Sequence, residues 1–182
     1  GFSQLAMGTF DDVNAIAKIA VNTHLAGAAG VVTGAALTRL IGGKTDIIMM
    51  LNGALAGLVA ITAEPLTPTP IIAMVIGSIG AVIMYYGTKL LEHLRLDDVV
   101  GAIPVHLFAG IFGTLVVPFT NTGTSYGAQL LGVISVCTFS FIFSYTVFKA
   151  MKETTGLRIS KAAEKLGTDK AEIGVAAYSI RD

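Results

Sequence analysis

Long apolar segments, separated by short polar connections, fill the first 150 residues of the chain. A transmembrane helix needs about 20 consecutive apolar residues, with about 17 as the lower limit, and each segment reaches that length. The pattern therefore predicts an all-α polytopic membrane protein with five transmembrane helices. The predicted ranges are 15–40, 47–63, 71–91, 96–119 and 127–148.

Small residues recur at a spacing of four along the first segment. Ala26, Gly30 and Gly34 form one row, and Thr23 and Gly27 form the next. Residues at this spacing share one face of a helix, and small side chains there let two membrane helices approach backbone to backbone. The rows predict that another helix packs closely against this one.

The composition agrees with a membrane protein and excludes several other classes. Of the 182 residues, 53% are hydrophobic and 13% are charged, and the mean hydropathy is +0.74, whereas about 25% of the residues in a soluble domain are charged. The net charge of +0 gives no electrostatic basis for binding nucleic acid. The single cysteine, Cys137, allows neither an intrachain disulfide nor a cysteine-rich metal site, and we interpret it as an inert buried thiol.

Basic residues occur at alternate connections between the segments. They are Arg39 and Lys44 after the first segment, Lys89 and Arg95 around the end of the third, and Lys149, Lys152, Arg158, Lys161, Lys165, Lys170 and Arg181 from the end of the last. Connections 64–70 and 120–126 contain neither lysine nor arginine. By the positive-inside rule the basic connections and the tail are cytoplasmic, so the N-terminus is outside, with Lys18 as the one exception.

The composition changes near the end of the last segment. We predict a transmembrane domain over 1–150 and a polar cytoplasmic tail over 151–182, which is either a solvated end or a docking and regulatory segment. An odd number of spans with an outside start predicts further spans before Gly1. No signal peptide is visible at the start of the sequence.

Signatures of enzymes are missing from the sequence. It contains no Walker-type loop, no GxSxG motif and no HExxH motif, so we predict a protein that is not an enzyme and holds no metal and no cofactor. Asp97 and Asp98 could form a catalytic pair, but they precede the fourth apolar segment, where carboxylates cap free N–H groups and complement the helix dipole. We favour this structural cap, at the cytoplasmic end. His24 and His93 lie near segment ends, at interfacial or solvated positions.

One histidine, His106, lies within the fourth apolar segment. It follows Asp98 by eight residues, or about 12 Å of continuous helix, which predicts a position near the middle of the bilayer. An ionisable residue inside a membrane span indicates a functional site. From the residues alone, a pore or proton path and a neutral imidazole bonded to a neighbouring helix are equally good interpretations.

Three stretches resemble the ammonium transporter family, which includes the Amt, methylammonium permease and Rh proteins. They are NTHLAGAAG from Asn22, LNGALAGLVAITAEP from Leu51 and LDDVVGAIPVHLFAGIFGTL from Leu96, and a GLRIS tail follows. The resemblance implies a fold of eleven helices, in which two inverted five-helix repeats precede a final helix, and a homotrimer. The chain then corresponds to the C-terminal half, namely the second inverted repeat plus the final helix. Gly1 would lie at the outer end of the sixth helix, and the five segments would match helices seven to eleven.

The resemblance also implies roles for individual residues. His106 matches the second histidine of the twin-histidine pair in the pore, and Thr62 ends the AGLVAIT block beneath the pore. Phe2 and Ser3 match the Phe that gates the outer mouth and the Ser that helps to bind ammonium, although the GFNxGS block is three residues short here. Many members have an Asp where this chain has Gly101.

The function implied by the resemblance is the transport of ammonium or ammonia, and of methylammonium, through an apolar pore in the inner cell membrane. A P-II type regulatory protein is the implied partner of the tail. Two alternatives stay open from the sequence. One is an ammonium-sensing membrane domain, and the other is a truncated, transport-inactive fragment.

Overall fold

A computed structural model describes residues 10–177, and every regular element within them is helical. Phe2 and Ser3 lie outside the described residues. In chain order the elements are α1 (Phe10–Gly42), α2 (Ile47–Thr62), α3 (Pro70–His93), a π-helical turn (Ile103–Phe108) that runs into α4 (Ala109–Thr120), α5 (Tyr126–Thr154), α6 (Lys161–Leu166) and a second π-helical turn (Asp169–Ile173).

Four helical segments of the described chain are long and apolar enough to cross a membrane, and they are Asp11–Gly42, Pro70–His93, Ile103–Thr120 and Tyr126–Thr154. The fifth apolar helix, α2, has 16 residues, which places it near the lower limit for a span. The all-helical architecture predicted from the apolar segments is therefore confirmed.

Side-chain caps explain where two of these helices begin. The Asp46 carboxylate accepts hydrogen bonds from the N–H groups of Ile48 and Met49, at 2.8 and 3.1 Å, and so satisfies free donors at the start of α2. At α3, Thr69 is the cap and Pro70 is the first helical residue. Proline suits this position because its missing N–H would have no partner there.

The described residues divide into two compact units, with the boundary between Ile134 and Ser135. In the first unit, α1, α2, α3 and α4 pack around two small clusters of buried side chains. One cluster contains Ala26, Ala60, Ile61, Ala73 and Ile76, and the other contains Ala56, Met84, Val105 and Ala109. Five of these nine residues are alanine, whose small side chain lets the helices meet at short range.

The row of small residues along α1 packs against the backbone of α2, which confirms the close approach predicted for this face. A Cβ atom built on Gly30 would collide with the carbonyl oxygen of Gly53, and a Cβ atom on Gly53 would lie 2.6 Å from the carbonyl oxygen of Gly30. One turn further along, Gly57 faces the carbonyl of Ala26, which also faces Gly77 of α3. Ala26 is thus the point where α1 meets two helices at once.

In the second unit, the remainder of α5 carries aromatic side chains. The rings of Phe139 and Phe143 stack at 6.0 Å, and those of Phe141 and Tyr145 stack at 6.2 Å. Cys137 has a free thiol and is half-buried instead of buried as predicted. Further along, the Ser160 hydroxyl caps α6 by accepting the Ala163 N–H at 3.1 Å.

Candidate functional site

His106 lies in the π-helical turn that precedes α4, on the exposed side of that turn. Its neighbours Pro104 and Val105 are buried, and Pro104 and Phe108 pack against Gly87 of α3. A Cβ atom at Gly87 would lie 2.6 Å from the Phe108 ring. The buried side of the turn therefore fixes the backbone while the imidazole stays accessible. π-helical turns are rare and occur frequently at functional sites.

The start of the fourth span differs from the prediction. Residues 99–101 are not helical, and Gly101 has a φ of 74°, a conformation that glycine adopts readily. The helical run begins at Ala102, so the predicted start at Leu96 and the continuous helix from Asp98 to His106 are wrong. His106 is four residues into the helix, or about 6 Å along it instead of 12 Å.

The carboxylate of Asp98 holds the beginning of this turn. Its two oxygens accept the N–H groups of Ala102 and Ile103, at 2.9 and 2.8 Å. Asp97 is exposed. Of the two carboxylates assigned to a cap, Asp98 is the one in contact with free N–H groups.

Asn52 of α2 supports the same loop from the other side. Its Nδ2 donates a hydrogen bond to the carbonyl of Val100 at 3.2 Å. A Cβ atom at Gly101 would lie 2.6 Å from that nitrogen. In this chain, Asn52 and Asp98 thus fix the approach to the His106 turn, where the resemblance implies an Asp in many members.

Thr62 is the last residue of α2, and its side chain is exposed. Its hydroxyl donates to the carbonyl of Leu58 in the preceding turn, at 2.5 Å. No hydrogen bond among the described residues joins Thr62 to His106, so the structure does not bring these two predicted site residues into contact.

The other two histidines of the chain lie in α1 and α3. His24 is exposed, and its Nδ1 lies 2.7 Å from the carbonyl of Ala20 in its own helix. His93 is the last residue of α3 and is exposed. Among residues 10–177, no group of His, Cys, Asp and Glu side chains is arranged to hold a metal ion.

A buried polar network, which the sequence reading did not identify, fixes the connection between α2 and α3. The Asn22 side chain is fully buried, and its Nδ2 donates to the carbonyls of Pro65 and Pro68 at 2.8 and 2.9 Å. Glu64, which is 8% exposed, accepts the Asn121 Nδ2 at 3.0 Å. In the sequence, this network could have been suspected from Glu64, a carboxylate that lies between an apolar segment and a proline-rich connection.

The geometry defines an α-helical, multi-pass membrane protein with a histidine in one of its spans. The sequence profile of the Ammonium Transporter Family matches residues 2–178. The chain belongs to this family, and its predicted family membership is confirmed.

Individual relatives agree with the family match. Ammonium transporter Amt2 of Archaeoglobus fulgidus is 41% identical over 183 residues, which cover 90% of this chain and 39% of that protein. A solved structure named "Sensor Amt Protein" has a TM-score of 0.79 and 31% identity, and the match covers 86% of this chain and 42% of that one. Mep2 of Candida albicans has a TM-score of 0.73 and 27% identity, with 86% and 39% covered. This chain therefore spans about two fifths of the length of its relatives.

Proposed function

We propose that this chain forms the C-terminal half of an ammonium transporter, and that His106 contributes one of two histidines to an apolar pore. The observation that carries the proposal is the family match over residues 2–178, in a chain whose fourth span places an imidazole on an exposed face. The coverage of about 40% of each relative supports the assignment to one half of an eleven-helix fold, with the second inverted repeat followed by the final helix.

The physical basis for selectivity is the cost of dehydration. An isolated cation loses of the order of tens of kcal/mol of solvation free energy on entering an apolar environment. An apolar pore therefore rejects ammonium and potassium ions alike, whereas neutral ammonia avoids this cost. Transport then requires that ammonium loses its proton before ammonia crosses the narrow region.

An imidazole suits that task. Its ordinary pKa is near neutral, and its two nitrogens can donate and accept hydrogen bonds at the same time. His106 sits on a turn whose backbone is fixed by Asp98 and by the buried Pro104 and Val105. The ring can therefore offer a hydrogen bond to ammonia at a constant position, and together with a facing histidine it can relay a proton.

The remaining pore residues follow from the resemblance. Phe2 would gate the outer mouth, Ser3 would help to bind ammonium there, and Thr62 would lie beneath the pore. Asp97 and Asp98 would cap the cytoplasmic end of the fourth span, a role supported for Asp98 by its two hydrogen bonds to N–H groups.

We place the transmembrane domain over 1–150 in the inner membrane, with the N-terminus of the chain outside and the tail over 151–182 in the cytoplasm. The alternation of basic connections supports this orientation. A homotrimer of full-length subunits and a P-II type protein on the tail complete the proposal. Unchanged pull-down of that protein after deletion of Gly156–Asp182 would contradict the tail assignment.

The test is His106→Ala in a protein that joins this chain to the preceding half. Ammonium-driven current should disappear, or its selectivity against potassium should change. His24→Ala and His93→Ala are matched controls, because both remove an exposed imidazole elsewhere, and both should leave the current intact. Wild-type current and selectivity in His106→Ala would overturn the pore assignment. The chain on its own should not take up methylammonium into liposomes.

A second candidate function is ammonium sensing. The observation that favours it is the likeness to the solved structure named "Sensor Amt Protein", with a TM-score of 0.79 and 31% identity. A sensor would bind ammonium with the same residues and report it through the tail, without net uptake. Ammonium-dependent changes in tail protection from hydrogen exchange, in a protein that shows no current, would favour the sensor over the transporter. A chain that shows neither response would be an inert fragment.

A further inference from the structure

A cavity lies at the C-terminal end of α5, entirely within the second unit. It encloses about 500 Å³. The residues that line it are Tyr145, Phe148, Lys149, Lys152, Glu153 and Leu157. All of them except Leu157 belong to the last turns of α5, so the cavity is a notch between the helix end and the chain that follows.

The turn after α5 builds the far wall of this cavity. The N–H groups of Thr155 and Gly156 both donate to the carbonyl of Met151, at 3.0 Å each. Gly156 has a φ of 78°, a left-handed conformation that commonly ends helices and reverses the chain direction. Leu157 is thereby brought to the same cavity as Phe148.

The polar side of the cavity has a net positive charge. Lys149 and Lys152 are three residues apart, so they share one face of the helix. The only ion pair among residues 10–177 joins Lys89 to Glu92, which leaves both ammonium groups in the cavity without a carboxylate partner. Glu153 is the single acidic residue of the lining.

The apolar side of the cavity coincides with the end of the membrane-crossing stretch. No Asp, Glu, Lys or Arg occurs between Asp98 and Lys149, so Lys149 marks the boundary at which α5 leaves the hydrocarbon. Aromatic rings such as those of Tyr145 and Phe148 are typical of the membrane–water interface. Aromatic side chains at that depth would contact the glycerol region of a lipid, and lysines one turn beyond would reach its phosphate.

We propose that this cavity binds the head group of an anionic phospholipid, with Lys149 and Lys152 on the phosphate and the aromatic side on the glycerol and first acyl carbons. Basic residues directly after a membrane helix recognise anionic lipids in this way. The apolar wall favours a lipid over a free phosphate ion. The proposal requires only that α5 crosses a membrane, so it does not depend on whether the protein transports ammonium.

Native mass spectrometry of the full chain in detergent tests the proposal. Phosphatidylglycerol and phosphatidylcholine with identical acyl chains are titrated, and bound lipids are counted. The wild-type chain should prefer phosphatidylglycerol, and this preference should fall by about thirtyfold in K149Q/K152Q. The matched control is K165Q/K170Q, which removes the same charge from the tail outside the cavity and should keep the preference.

Three results would overturn the proposal. The first is equal binding of the two lipids by the wild-type chain, which needs no variant and so stands even if a variant fails to fold. The second is an equal loss in both double variants, which would indicate unspecific attraction by the tail. The third is displacement of phosphatidylglycerol by millimolar inorganic phosphate, which would indicate a site for a free anion. Far-UV circular dichroism should show the same helix content in all variants.

Discussion

The amide of Asn52 holds the carbonyl of Val100, with 3.2 Å between Nδ2 and the oxygen. The two residues are 48 positions apart in the sequence, so this hydrogen bond joins α2 to the loop that leads into the His106 turn. It also constrains the next residue, since a side chain at Gly101 would press on the same amide. The orientation of the His106 turn therefore depends on a residue in another helix.

Replacing Asn52 with leucine tests this relationship. Leucine has a similar branched shape and no donor, so the Val100 carbonyl loses its partner, and the free energy of unfolding should fall by about 1 kcal/mol. Unfolding in detergent, followed by far-UV circular dichroism, measures the change. Asn14→Leu is the matched control, because Asn14 is exposed on α1 and should tolerate the change. Equal stability of the two variants would contradict a structural role for the Asn52 amide.

The contact between α1 and α2 leads to a second prediction. Gly30→Ala places a methyl group on the carbonyl of Gly53, and overpacking of this kind costs about 1–3 kcal/mol. At Gly132 of α5, a Cβ atom meets nothing within 4 Å, so Gly132→Ala should be neutral or stabilise by up to about 1 kcal/mol. Thermal unfolding of both variants compares them directly. The prediction is wrong if Gly30→Ala is as stable as Gly132→Ala.

Glu64 provides a third prediction. One carboxylate oxygen accepts the Asn121 Nδ2 at 3.0 Å, and the other accepts the N–H groups of Leu66 and Thr67 at 3.2 and 3.3 Å. Glu64→Gln replaces one acceptor oxygen with an NH2 group that faces N–H donors. The free energy of unfolding should therefore fall by about 1–3 kcal/mol.

The matched control for Glu64 is Glu92→Gln. The Glu92 carboxylate is paired with Lys89 at 2.9 Å, but the side chain is 57% exposed, and an exposed pair contributes about 1 kcal/mol or less. Limited proteolysis of the connection over 63–69 should detect loosening in Glu64→Gln and not in Glu92→Gln. If both variants resist the protease as the wild type does, the network does not stabilise this connection.

The sequence was sufficient for features that depend on composition and spacing. The apolar lengths located the five helices, although the fourth begins six residues later than predicted, and the spacing of Ala26, Gly30 and Gly34 identified a face of α1 that packs closely against another helix. Both signals are local in the sequence, because apolar length reports membrane crossing and a spacing of four reports one helix face.

Features that depend on distant partners could not be predicted in this way. The hydropathy of the residues from Asp98 to Ala102 reveals neither the left-handed conformation of Gly101 nor the hydrogen bond from the Ala102 N–H to the Asp98 carboxylate. The partners of Asn22, the carbonyls of Pro65 and Pro68, are 43 and 46 residues away. Only the packed structure brings these groups together, so the start of the fourth span and the buried network had to be observed.

The tail leads to a prediction about pH. The Asp169 carboxylate accepts the Ala177 N–H at 2.7 Å, and hydrogen bonds from the backbone of Ala177 first, and then of Lys170, lower the pKa of Asp169 below its ordinary value of 3.8. Because the folded pKa is lowered, the ionised carboxylate stabilises this turn above pH 3.8, and the contribution disappears as the pH falls through the lowered pKa.

Nuclear magnetic resonance of the full chain in detergent can follow the Ala177 amide proton during an acid titration. Its chemical shift should change with a midpoint below pH 3.8, the ordinary value for the carboxyl group. In Asp169→Asn the same amide should show no such titration, because the neutral side chain has no proton to gain in this range. A midpoint at or above the ordinary value, or an unaltered titration in the variant, would show that the Asp169 carboxylate does not hold the end of this turn.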